Sequence, residues 1–151
     1  MSSNNPVDLD VHVLSPKKPL AHLKAKSVSL PGTAGYMEIL PNHAPLISQI
    51  EIGYLKISQI VASPKPHPGD VQFFIAGGYV DVVNNKVTVL VDVAESPEEI
   101  DRKRAEDAKR RAEERLAKRE SAIDLNRAQA ALLRAMSRLN FLDMAGKEKR
   151  S

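Results

Sequence analysis

Two hexamers in this chain space their side chains alike: IDRKRA, beginning at Ile100, and IDLNRA, beginning at Ile123. Both have the form I-D-x-x-R-A, and both sit among arginines that could hold an anion. Arg104 and Arg111 are seven residues apart and share a helix face; Arg127, Arg134 and Arg138 share another. If the chain turns near residue 120, position 104 lies level with about 136. Arg104 then falls between Arg134 and Arg138, with Ile100 and Asp101 at the same end. Guanidiniums gathered at one end of a hairpin need an anion or carboxylates. A phosphate-bearing ligand is one solution. Local neutralisation by Asp101, Glu106 and Asp107 is the other, and the residues by themselves favour it.

Other constellations are missing. The chain has no G-x-x-x-x-G-K-[ST], no G-x-G-x-x-G after a strand and no G-x-S-x-G. Cysteine is absent, which excludes disulfides, thiolate-bound zinc and cysteine nucleophiles. His12, His22, His43 and His67 are scattered, and their spacing suggests no metal site. Carboxylates are frequent only where Lys and Arg partners explain them. Nothing here points to an enzyme acting alone.

The elements that must position the arginines fall into two grammars. Residues 7–94 alternate apolar and polar positions, as in VDLDVHVL, where Val7, Leu9, Val11 and Val13 face one way and Asp8, Asp10 and His12 the other. HLKAKSVSL, YMEIL, the long run SQIEIGYLKISQIV, VQFFIA, YVDVV and KVTVLVDVA continue it. PGTAG is a turn, Gly53 interrupts the longest run, and Gly77-Gly78 mark two strands or one broken by a bulge. Asn84-Asn85 signals a tight hairpin. SPKPHPGD at 63–70 is a surface loop carrying an exposed His67. Many short strands at close spacing predict a sandwich or barrel.

From Ala94 the period changes. Ser96 can cap a helix beginning at Pro97, with Glu99 closing a capping box. Ile100, Ala105, Ala108, Ala112 and Leu116 form a thin, alanine-rich stripe. A second cap pattern opens at Ser121 with Asp124 three residues on, and Leu125, Ala128, Leu132, Ala135, Leu139 and Leu142 form a stronger stripe ended by Gly146 and the charged tail. Two such helices most simply form an antiparallel hairpin of marginal stability. Beyond Asp124 the arginines and lysines face few acids, which suits an acidic partner. The chain has 151 residues, a net charge of +3 and 4% aromatics. No run reaches the roughly 18 apolar residues of a membrane span, and MSSNNPVDLD lacks a secretory signal pattern. The chain reads as soluble and intracellular.

EILPNHAPLISQIEIGYLKI, then FIAGGYVDVVNNKVTVLVDVAE, then two charged, alanine-rich helices resemble the epsilon subunit of the rotary F-type ATP synthase, from about Val7 to Leu142. The resemblance implies a mainly β plus α protein: a ten-stranded β-sandwich over residues 1–94, contacting the gamma subunit and the c-ring, followed by a two-helix antiparallel hairpin over 95–151. It implies a non-catalytic rotor subunit that couples rotation to ATP synthesis in a proton-translocating enzyme. The helices would inhibit ATP hydrolysis when extended, their basic residues meeting the beta subunits of the catalytic head. Contacts to partners would fall on Glu38, His43, Arg127, Arg134 and Arg138. The location implied is peripheral, on the cytoplasmic face of the bacterial plasma membrane, ahead of the thylakoid. No cofactor is required and no nucleic acid is bound. Some members bind ATP as a regulatory ligand through I/L-D-x-x-R-A, here Ile100, Asp101, Arg104 and Ala105, with further contacts that would fall on Glu95, Arg111, Arg134 and Arg138. Two departures are visible: Glu38 stands where the family usually has a glycine, and the 63–70 loop is long. A stand-alone ATP sensor and a sandwich adaptor with a basic arm for nucleic acid are the alternatives. The second is weak because the strands offer no interleaved basic and aromatic surface.

Overall fold

The computed structural model describes residues 7–63, 69–118 and 121–150, without the side chains of 147–150. His67, most of the proline-rich loop and the linker expected to turn near residue 120 lie outside the described residues. The chain divides into two compact units, Met1–Ala94 and Glu95–Ser151.

The first unit contains β1 (Leu9–Leu14), β2 (Pro19–Gly32), β3 (Gly35–Ile39), β4 (Leu46–Ala62), β5 (Val71–Val83) and β6 (Lys86–Val91); the two-residue β7 (Ala94–Glu95) lies at its end. The pairing order is β1-β6-β5-β4-β2-β3, and β1 also pairs with β2, so the ladder closes on itself. Closure leaves few free strand edges. Alternation decides which residues go inside: Leu9, Val11 and Val13 of β1, Val80 and Val82 of β5, and Val87, Val89 and Val91 of β6 are fully buried, together with Leu30, Ile39, Leu55 and Ile57. Each such side chain contributes about 1.5–3 kcal/mol on burial, so a largely aliphatic core without tryptophan is sufficient.

Among the described residues seven strands stand where ten were expected. β2, β4 and β5 are long and continuous, at 14, 17 and 13 residues. Each is bent rather than broken. β2 shifts register against β4 between Lys24 and Ala25 and again between Ser29 and Gly32; β4 has a left-handed residue at Gln59, and β5 at Gly77 and Gly78. Counting each long strand as two restores the expected number. Gly53 does not interrupt β4 either. A Cβ there would collide with the Tyr36 hydroxyl and press on Pro31, so glycine permits a close crossing instead of ending the strand. The Tyr36 hydroxyl accepts a hydrogen bond from the Tyr54 amide at 3.1 Å beside it.

The expected β5–β6 hairpin is present. Asn84 and Asn85 have φ of 48° and 62°, the pair of left-handed residues that a two-residue hairpin loop requires. Asn85 does more than turn. Its Oδ1 accepts the Asn42 amide at 2.6 Å, and its Nδ2 donates to Asn42 Oδ1 at 3.3 Å. The ILPNHAPL turn is thus fastened to the hairpin. Asn85→Ala is expected to lose both bonds and strain the turn, lowering stability by about 1–3 kcal/mol in urea unfolding with an unchanged m-value.

The second unit contains a 3₁₀ turn (Pro97–Glu99), α1 (Arg102–Lys118) and α2 (Ala122–Arg150). The helix expected from Pro97 begins five residues later. The Ser96 amide does donate to Glu99 Oε2 at 2.9 Å, but this box closes only one turn, because Ile100 is extended at φ −90°, ψ 121°. At the far end, Gly146 does not stop α2, which continues to Arg150. One glycine costs a helix about 1 kcal/mol, too little to end a long one. Between the helices the buried residues are mostly alanine: Ala105, Ala112, Ala128 and Ala135. The leucines of the second stripe flank them and are only half-buried, so little apolar area holds the pair together.

Candidate functional site

The two hexamers prove to be different local structures. Asp101 is the cap of α1: its Oδ1 accepts the Arg104 amide at 3.1 Å, and its carbonyl accepts the Ala105 amide at 3.0 Å. In the second copy Ser121 is the cap, with Oγ accepting the Asp124 amide at 3.2 Å and donating to Asp124 Oδ2 at 2.8 Å. Asp124 therefore plays a supporting part where Asp101 plays the leading one. The two aspartates stand at different distances from their helix starts, so the echo is not a duplicated site.

Around Asp101 lies a cleft of about 390 Å³ lined by Glu95, Glu99, Ile100, Asp101, Arg104, Ala105, Ala108, Arg111, Ala135 and Arg138. All of these belong to the helical unit. Its anchor is a two-pronged ion pair across the hairpin: Arg138 Nη2 donates to Glu95 Oε1 at 2.7 Å and Nε to Oε2 at 3.1 Å, both side chains about one quarter exposed. That geometry is the strong form of an arginine–carboxylate contact. Further along, Arg102 Nη2 reaches Asp143 Oδ1 at 2.7 Å, which confirms that α1 and α2 run antiparallel.

Local neutralisation of the arginines is only partly realised. The Asp101 carboxylate is spent on the α1 backbone, and Asp107 pairs with Arg110 at 3.2 Å. Among the described residues no carboxylate lies within ion-pair distance of the Arg104 or Arg111 guanidinium. Two uncompensated cations on α1 thus edge a cleft whose opposite wall, Arg138, is already paired. Glu95, Glu99 and Asp101 also bring carboxylates to the cleft, and Ile100, Ala105, Ala108 and Ala135 bring apolar side chains. Cations, carboxylate acceptors and apolar surface thus meet in one cleft.

Seven of the expected nucleotide contacts line the cleft together; Arg134 does not. It is half-exposed and lies one helical turn before Arg138 on the same side of α2. Arg127 is exposed and lies outside the cleft, near the start of α2. Glu99, Ala108 and Ala135 were not expected as lining; their signal was position on the same stripe and first turn. On the sheet unit, Glu38 Oε1 accepts a hydrogen bond from the buried Ser27 hydroxyl at 2.7 Å. This acid is therefore held against the sandwich. His43 Nδ1 lies 2.7 Å from the Ala44 carbonyl, and its amide donates to Leu40 O at 3.1 Å. The outer face of the sheet carries exposed apolar side chains in register: Tyr79 opposite Leu90, with Ile47 two positions along β4.

Residues 8–97 match the family described as ATP synthase, Delta/Epsilon chain, beta-sandwich domain, and residues 98–143 match the long alpha-helix domain of the same chain. The chain belongs to the ATP synthase delta/epsilon family. Relatives include the ATP synthase epsilon chain of Desulfitobacterium hafniense strain Y51, 45% identical over 136 residues and covering 86% of this chain and 92% of that one. The epsilon chain of Symbiobacterium thermophilum is 41% identical over 133 residues, covering 87% and 91%. The chain is thus an epsilon-type chain of an ATP synthase. In fold it resembles a chain of the Euglena gracilis mitochondrial ATP synthase, OSCP/F1/c-ring, with a TM-score of 0.75, 19% identity and coverage of 91% of this chain and 82% of that one. A chain of the Tetrahymena thermophila central stalk and c-ring aligns with a TM-score of 0.60, 18% identity and coverage of 89% and 96%. Neither described helix is long and apolar enough to cross a membrane.

Proposed function

We propose that this epsilon-type chain is a non-catalytic rotor subunit whose helical hairpin binds ATP and, when opened, inhibits ATP hydrolysis. The observation that carries the ATP reading is the cleft at Asp101. Arg104 and Arg111 edge it without carboxylate partners among the described residues, while Glu95 already holds Arg138. Phosphates would meet Arg104 and Arg111, the base would lie on the alanine patch, and Asp101, Glu95 or Glu99 would accept from hydroxyl and amine groups. A ligand that touches both helices stabilises the closed pair by its binding free energy. The alanine-rich interface leaves that pair weak enough for the difference to matter.

Opening exposes different contacts. Arg138 cannot hold Glu95 and an acidic partner at once, so separation of the helices releases it to join Arg127 and Arg134 against the beta subunits of the catalytic head. ATP and the head then compete for one helix pair, which makes hydrolysis sensitive to nucleotide supply. The sandwich is the coupling part. Its exposed Ile47, Tyr79 and Leu90 offer an apolar patch for the gamma subunit, and the turn at Pro41–Asn42 with His43, together with Glu38, is the candidate contact to the c-ring. In this reading the chain performs no bond chemistry, works in a proton-translocating complex and sits peripherally on the cytoplasmic face of a bacterial plasma membrane.

Calorimetric titration of the full chain tests the nucleotide part. One saturable ATP site per chain is expected, with inorganic phosphate binding much more weakly because it cannot use the apolar patch or the acceptors. No ATP heat up to millimolar ligand overturns it.

A further inference from the structure

The β1–β2 hairpin gathers three potential metal ligands that the linear spacing hides. Asp10 and His12 are two residues apart on β1 and therefore project from the same face. His22 on β2 is the direct antiparallel partner of His12, which brings it to that face as well. His12 Nε2 lies 3.1 Å from Asp10 Oδ2, and His22 Nε2 lies 2.9 Å from Asp10 Oδ1. The two imidazoles stack with centroids 3.8 Å apart and 22° between planes. One ligand atom from each of the three residues lies within 4.8 Å of the others.

We propose that Asp10, His12 and His22 bind a borderline divalent transition cation, zinc above all, which clamps β1 to β2.

The chemistry of the donors selects the ion. Two imidazole nitrogens and one carboxylate oxygen suit zinc, nickel or copper, whereas calcium and magnesium require a shell of oxygens. Ligand distances of about 2.0–2.2 Å in a tetrahedral site place donor atoms roughly 3.3 Å apart. To share one ion the two stacked rings must splay until both Nε2 atoms converge on it, and the His22 side chain, 60% exposed, has room to turn. Water would complete the shell. Burial works to raise the Asp10 carboxyl, but the hydrogen bonds and charges of His12 and His22 together outweigh it and hold it below the ordinary carboxylate range. A cation at this point would take over the role that two ring N–H groups now share. Two lysines oppose it: Lys24 on β2 and Lys86 on β6 both pair with Asp10 in register. Their charge makes the site moderate in affinity. Thr88 of β6, opposite His12, adds a neutral hydroxyl at the rim.

Titration of the full chain with zinc chloride, followed by calorimetry and by thermal unfolding, tests this. One zinc per chain is expected, with a rise in Tm that magnesium does not reproduce. His22→Ala and His12→Ala should each weaken zinc binding at least tenfold and abolish the Tm shift, while His67→Ala retains both. Because His22 is well exposed, its variant keeps the fold, which circular dichroism verifies. Absence of zinc binding, zinc binding unchanged in His22→Ala, or binding lost only in His67→Ala each overturns the proposal.

Discussion

Arg104→Ala is expected to weaken the proposed ATP binding at least tenfold in calorimetric titration of the full chain, with an effect of the same order expected for Arg111→Ala. Both guanidiniums edge the Asp101 cleft and have no carboxylate partner among the described residues, so truncation removes a contact to ligand and breaks no ion pair of the fold. A charge-assisted hydrogen bond contributes about 1.5–3 kcal/mol, or roughly ten- to a hundredfold in affinity. The α1 cap is untouched, since Asp101 bonds to the Arg104 backbone amide and not to its side chain. Arg138→Ala also weakens binding but differs in kind. It strands Glu95, three-quarters shielded from solvent, and so destabilises the hairpin even without ligand. Arg127→Ala, on the second hexamer and outside the cleft, leaves ATP affinity unchanged. Equal affinities of wild type and Arg104→Ala would refute the cleft as the ATP site.

Gly78→Ala carries the largest expected loss of stability. Gly78 has φ of 144° and stands where β5 passes β6; an added Cβ would collide with the Leu90 carbonyl oxygen and crowd the Val91 Cα. Both obstacles are backbone, which cannot swing aside like a side chain. Left-handed strain costs about 1–3 kcal/mol and overpacking a similar amount. A total of about 3 kcal/mol or more corresponds to a fall in Tm of roughly 6–12 °C for a chain of this size. Gly146→Ala is the contrast, because nothing lies near its added Cβ within α2; it is neutral or mildly stabilising.

Gly78 also shows which parts of the fold were legible beforehand. Its neighbour Gly77 marked an irregularity, and the valines around them marked β5 and β6, because a two-residue alternation needs only local information. Whether the irregularity ended a strand or bent it depended on the partner: the β4 ladder continues past both glycines from Ala76 to Val80, and sequence spacing does not record that. Asn84-Asn85 was readable because two left-handed residues leave few alternatives; the tie from Asn85 to Asn42, 43 residues away, was not. The start of α1 was misplaced because Ser96 and Asp101 are both good caps. Extended Ile100 separates them and gives the second cap the helix. The cleft was legible as a resemblance through Asp101, Arg104 and Arg138, while Arg134, one turn before Arg138, is not part of its lining. His12 and His22 looked unrelated until the antiparallel register placed them opposite each other.

The helical unit is expected to act on a catalytic head. The direct measurement is the ATP hydrolysis rate of a head complex containing gamma, reconstituted with the full chain or with the chain ended at Ala94. The full chain should lower the rate, most strongly at low ATP, and the truncated chain should bind gamma equally well without lowering it. Equal rates with the two chains, or a truncated chain that no longer binds gamma, would contradict the division of labour between sandwich and hairpin.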